Sequence, residues 1–207
     1  MKTSIVIPAY YYDDSYVEMT QDCVDSLKYE RPDEVIVVDD GSPIKSSIST
    51  IVLPENKGFG HAVNTGLERA KGDVLIISNN DIVFTPNWLT ELLKPLKNGF
   101  DISSIVTSDQ GWETKDLISE DDRFGSLWAM TRKVYKSLGG FDEQFGIGYF
   151  EDTDYYLRAK KAGFHIGKNW NGLVEHKGRA TFSKVDPDNK YFLENKKKFI
   201  NKWGFLI

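Results

Sequence analysis

Residues 73–81 read Asp-Val-Leu-Ile-Ile-Ser-Asn-Asn-Asp. The first five form a short, almost uninterrupted apolar run bounded by Gly72 and a polar quartet, the pattern of a strand covered on both faces. Upstream, Phe59, Ala62, Val63, Leu67 and Ala70 recur at helical spacing, and Gly72 ends that helix. Three more apolar runs precede it: TSIVI at 3–7, EVIVV at 34–38 and STIVL at 49–53. Between the first two lies a helix over 16–29 that sets Val17, Cys23, Val24 and Leu27 on one face. Strand and helix alternate through residue 77, so the chain is α/β, with a sheet that is parallel at least in its first half.

Downstream the pattern is less regular. Thr85-Pro86 predicts a helix start, with Thr85 as cap and Pro86 at the first position. Trp88, Leu89, Leu92, Leu93 and Leu96 follow on one side. Further strands are expected at 101–107, 126–131 and 173–176, and helices at 133–138, 151–162 and 189–203. The stretch 108–124 reads as polar and irregular. No repeat or low-complexity tract divides the 207 residues, so one domain is expected.

The 26 basic and 31 acidic residues leave a net charge of −5, which argues against broad electrostatic binding to nucleic acid or anionic lipid. Cys23, the single cysteine, falls in a helix stripe and reads as an inert buried thiol. A disulfide framework within one chain is thereby excluded and a reducing compartment favoured. Neither a secretory leader nor an apolar run long enough to span a membrane is legible. The expected location is cytoplasmic, or peripheral at a membrane.

In an open α/β sheet, ligands bind beyond the carboxyl ends of the strands. Three polar segments leave such ends: Pro8 to Asp14, Asp39 to Ser42, and Ser78 to Asp81. A carboxylate after the second strand suits a uracil or thymine imide N–H or ribose hydroxyls, although Asp-Asp-Gly-Ser is also an ordinary turn. Asp81 offers a carboxylate oxygen and Asn79 a carbonyl oxygen to a divalent ion that would neutralise a diphosphate; an Asx-rich turn would use the same residues. Glu151, Asp152 and Asp154 open a helix, where acids offset the helix dipole. One of them aimed into a cleft would instead be a general base, and the adjacent acids would raise each other's proton affinity. His176 reads as an ordinary hydrogen-bonding histidine unless it lies near Asp81, where it would complete a metal shell, with Lys177 and Arg179 facing phosphate.

Taken together and in order, SIVIPAYYYDD, EVIVVDDGS, NKGFGHAVNTGLERAKGDVLIISNND, GGFDEQFGIGYFEDTDYYLRAKKAG and VEHKGRAT resemble family 2 glycosyltransferases of the GT-A fold, from Ser4 to Thr181. The resemblance implies a single GT-A-type α/β domain over 1–207, with a mostly parallel central sheet flanked by helices and a Rossmann-like N-terminal half. Residues 1–82 would bind the nucleotide sugar, 83–182 the acceptor and the catalytic groups, and 183–207 would form a helical tail.

Roles carry over residue by residue. Pro8, Ala9 and Tyr10 resemble a wall of the nucleoside pocket, and Asp40 the residue on the base, with Asp39 beside it. Asn56, Gly58 and Asn64 match the NxGxxxAxN stretch along the donor. Asn79, Asn80 and Asp81 stand where the family has its metal-binding DxD. Asp152 resembles the catalytic base of the ED motif, preceded by Glu151, and His176 a further metal ligand. Two positions depart from the family: Asn79 removes one charge from the DxD, and Val63 replaces a basic residue, leaving His61 or Lys57 to face phosphate or base.

The activity implied is transfer of a sugar from a UDP- or dTDP-sugar to an acceptor hydroxyl, with inversion, in the presence of Mn²⁺ or Mg²⁺. The acceptor would be a saccharide or a lipid-linked glycan, or else a modified nucleic acid base. The stretch from Asp109 to Arg123, with Trp112, and also Trp128 and Gly139 to Asp142, would shape its site, although Trp128 also reads as core. Lys196 to Lys198 read as solvated, or as a docking patch for anionic lipid or nucleic acid. A sugar-activating nucleotidyltransferase would need a glycine-rich basic loop after the first strand, where Pro-Ala-Tyr-Tyr-Tyr-Asp-Asp stands instead. A non-catalytic carbohydrate-binding relative is hinted at only by Asn79.

Overall fold

The computed structural model describes residues 1–110, 117–120, 125–178, 186 and 188–206. Its strands are β1 (Thr3–Ala9), β2 (Glu34–Asp39), β3 (Ile51–Val52), β4 (Val74–Ser78), β5 (Ile82–Val83), β6 (Ile102–Thr107), β7 (Ile118–Glu120), β8 (Leu127–Thr131) and β9 (Ile166–His176). The helices are α1 (Asp14–Ser26), α2 (Phe59–Arg69), α3 (Trp88–Lys97), α4 (Arg132–Leu138), α5 (Glu151–Lys161) and α6 (Lys190–Trp203). The strands lie in the order β3-β2-β1-β4-β8-β6-β9-β5, and β7 also pairs with β9. β1, β2, β3, β4, β6 and β9 run one way, while β5, β7 and β8 run against them. The expected mostly parallel α/β domain is therefore what forms.

The apolar runs are long because both faces of the sheet are covered. Along β1 and β4, side chains alternate between two cores. Ile5, Ile7, Val74 and Ile76 pack with Cys23 of α1 and with Trp88 and Leu92 of α3. Val6, Leu75 and Ile77 pack with Ala62, Val63 and Leu67 of α2, Val134 of α4 and Tyr155 of α5. Helix α2 lies flush on the sheet because Gly66 has no side chain: a Cβ there would sit 2.3 Å from Val6 Cγ1. Val63, where the resemblance implies a basic residue, is fully buried and belongs to this packing.

Four expectations need correction. Helix α3 begins at Trp88, after a left-handed Asn87 (φ 63°), and not at Thr85-Pro86. Its free N–H groups at Leu89 and Thr90 donate instead to the Glu30 carboxylate at 2.8 and 2.9 Å, a cap supplied from far away in the chain. The Thr85 hydroxyl is used elsewhere, on the Leu173 carbonyl. β3 is two residues long, where five were expected. β9 starts seven residues before 173; its Gly and Asn residues hide the strand pattern, and its register against β6 shifts between Ile105 and Val106. β7 lies within the stretch read as irregular. Trp112, Arg123, Arg179 and Thr181 fall outside the described residues. Among those described, no helix is long and apolar enough to cross a membrane.

Gly66→Ala should cost about 1–3 kcal/mol of stability, because a methyl group there must displace a packed valine. Urea denaturation of the two proteins checks this, and equal midpoints would show that α2 has room to lift.

Candidate active site

The carboxyl ends of β1, β2, β4 and β9 and the start of β8 meet at one edge of the sheet. Ser78 pairs with Leu127, and Thr107 at the end of β6 pairs with Val174. A cavity of about 420 Å³ opens there. Pro8, Ala9, Tyr10, Asp40, Asn56 and Gly58 line its first wall. Asn79, Asn80, Asp81, Ser126, Trp128 and His176 form its floor, and Tyr149, Phe150, Glu151 and Asp152 the opposite wall. Residues remote in sequence are thus brought together.

On the first wall, Asp40 accepts N–H groups from Lys57 (3.1 Å) and Gly58 (2.7 Å). Burial pushes its proton affinity up against the pull of these two donors. Gly58 has φ +98°, and a Cβ there would lie 1.8 Å from the Gly146 carbonyl oxygen, so only glycine lets this wall touch the opposite one. Asp39 is placed differently from the expectation. It is fully buried, accepts the Ser42 N–H at 2.8 Å and does not line the cavity. Asn64 is also a support: its amide bonds the backbone of Phe141 in both directions (3.0 and 2.7 Å) and donates to Glu143 at 2.8 Å. Gly139 to Asp142, expected at the acceptor mouth, lie behind the wall, with Phe141 in the core.

On the floor, Asp81 and His176 are neighbours because β5 follows Asp81 directly and pairs Ile82 with His176. Asp81 Oδ1 and His176 Nε2 stand 3.1 Å apart. The two groups form a buried histidine–carboxylate pair that falls short of an aligned hydrogen bond. The other ring nitrogen, Nδ1, lies 3.2 Å from Asp109 and 3.1 Å from the Ser126 hydroxyl. Burial lowers the proton affinity of His176, but Asp81 and Asp109 more than offset this and leave it raised. Asp109 and Ser126 were missed in the sequence, since neither belongs to a motif and only the fold brings them to the histidine.

These two atoms pass a test of fit for a divalent ion. Neighbouring corners of an octahedron with bonds near 2.1 Å lie about 3 Å apart, and the pair has that spacing. A metal at Nε2 would need the neutral ring with its proton on Nδ1, where Asp109 is placed to accept it. Among the described residues no cluster of three His, Cys, Asp or Glu ligands forms, so water and ligand oxygens would complete the shell.

On the opposite wall, the three acids that open α5 part company. Asp154 is fully buried and bonded to Arg158, Lys202 and Trp203, a structural anchor. Glu151 is 8% exposed, with Oε2 unbonded, and burial together with the neighbouring Asp152 pushes its pKa up to about 8. Asp152 Oδ1 accepts the Thr153 N–H at 2.6 Å. No Lys or Arg occurs among the described residues lining the cavity. Lys177 pairs with Asp22 at 2.9 Å, His61 with Glu143 at 2.9 Å and Lys57 with Glu55 at 3.2 Å, so three of the four groups expected to face phosphate or base are engaged elsewhere, the fourth, Arg179, lying outside the described residues. Trp128 is a core residue, 2% exposed and packed on Phe141 and Tyr155, that also borders the cavity.

The chain is 26% identical over 195 residues to the uncharacterized glycosyltransferase YwdF of Bacillus subtilis (strain 168), covering 78% of this chain and 69% of that protein. It is 31% identical over 121 residues to the undecaprenyl-phosphate 4-deoxy-4-formamido-L-arabinose transferase of Pseudomonas fluorescens (strain Pf0-1), covering 52% of this chain and 36% of that one. It thus spans only about a third of the latter's length. Among solved structures, the glucosyl-3-phosphoglycerate synthase of Mycobacterium tuberculosis, in complex with Mg²⁺ and UDP, shares the fold with a TM-score of 0.70. That likeness covers 100% of this chain and 80% of the synthase at 18% identity. The family described as Glycosyl transferase family 2 matches residues 4–151, most of the chain, and ends one residue before Asp152. The chain therefore belongs to glycosyl transferase family 2, and it is a glycosyltransferase enzyme.

Proposed function

We propose that the cavity binds a nucleoside-diphosphate sugar with Mn²⁺ or Mg²⁺ and transfers the sugar, with inversion, to an acceptor hydroxyl whose proton passes to Asp152. One observation carries this reading. Asp81 Oδ1 and His176 Nε2, a buried pair 3.1 Å apart, open onto the same cavity as Asp152. The surroundings support it. Asp40, Asp81, Glu151 and Asp152 face a space with no described Lys or Arg, so a diphosphate needs added positive charge to enter. A bound divalent ion supplies that charge and stabilises the departing nucleoside diphosphate. Asp81 and His176 would hold it, with Asn79 offering a neutral oxygen nearby.

The remaining roles follow from position. Pro8, Ala9 and Tyr10 border the nucleoside, and the Asp40 oxygens keep lone pairs free for a uracil or thymine imide N–H or for ribose hydroxyls. Asn56, Gly58 and Asn80 line the donor side, while Asp39 and Asn64 hold the turns that carry them. Glu151 keeps its proton up to about pH 8, which makes it unsuited to act as the base. Thr153 occupies Asp152 Oδ1 and leaves the second oxygen for the acceptor. Two adjacent carboxyls with separated roles are a recurring acid–base arrangement. The acidic wall favours a neutral hydroxyl acceptor over undecaprenyl phosphate, the lipid in the name of the Pseudomonas relative. Parallel assays with the lipid phosphate and with glycan acceptors test that preference.

Asp152→Asn should lower kcat by about 10²–10⁴-fold, with nucleotide and Mn²⁺ binding intact by calorimetry; near-normal turnover in the folded variant would remove Asp152 from the reaction. Asp81→Asn should weaken Mn²⁺ binding in the presence of UDP by about tenfold or more, read by Mn²⁺ electron paramagnetic resonance. Unchanged affinity would move the metal elsewhere. Glu151 also makes stability depend on pH. Between pH 4.5 and about 8 the folded chain keeps a proton that the unfolded chain has released, so stability falls as pH rises through that window. Glu151→Gln should remove this slope, on the order of a few kcal/mol across the window. Denaturant titrations at its two ends check this, and identical slopes in parent and variant would refute it.

A further inference from the structure

The acceptor wall of the cavity is a strained segment. Gly148 has φ +155°, and the next two residues, Tyr149 and Phe150, have φ +73° and +71°. Bulky residues in this region are strained and persist only where the surroundings over-determine them. The segment leads directly into Glu151 and Asp152, so its course decides where those carboxyls enter the cavity.

The surroundings that hold it belong to α6. Asn195 is 2% exposed and donates from one amide nitrogen to two carbonyls, those of Phe145 and Gly148. Its Oδ1 is fixed by Lys198 Nζ at 2.9 Å, and the same ammonium reaches the Gln144 carbonyl at 2.7 Å. Phe192 stacks against Tyr149 and Phe150 with centroids 5.5 and 5.4 Å apart, and Phe199 against Phe150 at 5.2 Å. Lys202 ties the two ends of the segment, bonding Asp142 at 2.7 Å and Asp154 at 2.6 Å. One face of α6 therefore grips the segment at both ends and in the middle. This helix lies past residue 151, where the family match ends.

We propose that Asn195 is a positioning residue, which sets the entry of Glu151 and Asp152 into the cavity by holding the Phe145 and Gly148 carbonyls. The proposal rests on the reading of Asp152 as the base. An asparagine suits the task because its NH₂ has two protons to share between two carbonyls. A leucine of similar size leaves both unpaired, and an aspartate repels both.

The test compares Asn195→Leu and Asn195→Asp with the parent, with Lys197→Ser on the exposed face of α6 as control. In each, kcat, donor KM, nucleotide–Mn²⁺ affinity and amide hydrogen exchange over 146–152 are measured. Expected is a fall in kcat of about 10–100-fold, the scale of a displacement near 1 Å. Donor affinity should stay within about twofold, and exchange should be faster over 146–152. Lys197→Ser should match the parent. A folded Asn195 variant with parental kcat overturns the proposal, as does a parallel fall of donor affinity and kcat, which would mean general loosening. If neither variant folds, Lys198→Met asks the same question more gently: a fall in kcat of a few-fold at constant donor affinity supports the proposal and parental kcat overturns it. Asp152→Asn, assayed alongside, separates the two readings. If it is inactive while the Asn195 variants are normal, only the positioning role fails; if it is active, the reading of the base fails.

Discussion

A sheet covered by helices on both faces leaves only its two ends for polar chemistry. β1 and β4 bury nearly every side chain, alternately into one core and the other, and backbone or side-chain polarity must wait until the strand stops. It stops at Ala9 in one strand, Asp39 in the next and Ser78 in the third, all at the same edge because these strands are parallel and in register. The cavity is a consequence of that constraint. β8, running the other way between β4 and β6, adds Ser126 and Trp128 from its amino end, and the long β9 delivers His176 from its carboxyl end.

The cavity's electrostatics are set by what it lacks among the described residues as much as by what it holds. Four carboxyl groups face it and no described Lys or Arg does, while Lys57, His61 and Lys177 pair with acids outside it. In such a space a carboxyl either accepts backbone donors, as Asp40 does, or keeps its proton, as Glu151 does. Asp81 instead faces His176, at 3.1 Å and without an aligned hydrogen bond, and that spacing of two metal-ligating atoms is the physical reason to read them as ligands.

Several motif residues turn out to build the frame around the cavity. Asp39 closes the turn that presents Asp40, Asn64 clips the 141–143 turn to α2, and Asp154 gathers Arg158, Lys202 and Trp203 at the root of α5. A motif in this chain thus mixes residues that line the cavity with residues that aim them. Gly58, pressed against Gly146, couples the donor wall to the acceptor wall, and α6 braces the acceptor wall from behind. The strained backbone before Glu151 depends on contacts from a helix that follows it by about forty residues.

The strands 3–7, 34–38 and 73–77, the helices between them and the polar exits that follow were legible in the amino-acid order, because burial on both faces and helical periodicity are local patterns. So was the company of Asp40, Asp81, Asp152 and His176, through the succession of family motifs. The order alone could not separate Asp39 from Asp40 or Asp154 from Asp152, since adjacent acids differ only in which way the backbone turns them. Nor could it show Glu30 capping α3, Asp109 and Ser126 meeting His176, or Asn195 holding the 145–150 segment. Each of these is a pairing across many residues, decided by which strand lies beside which, and a hydrogen bond or ligand pair needs positions fixed to within an ångström that only the packed sheet and its helices supply.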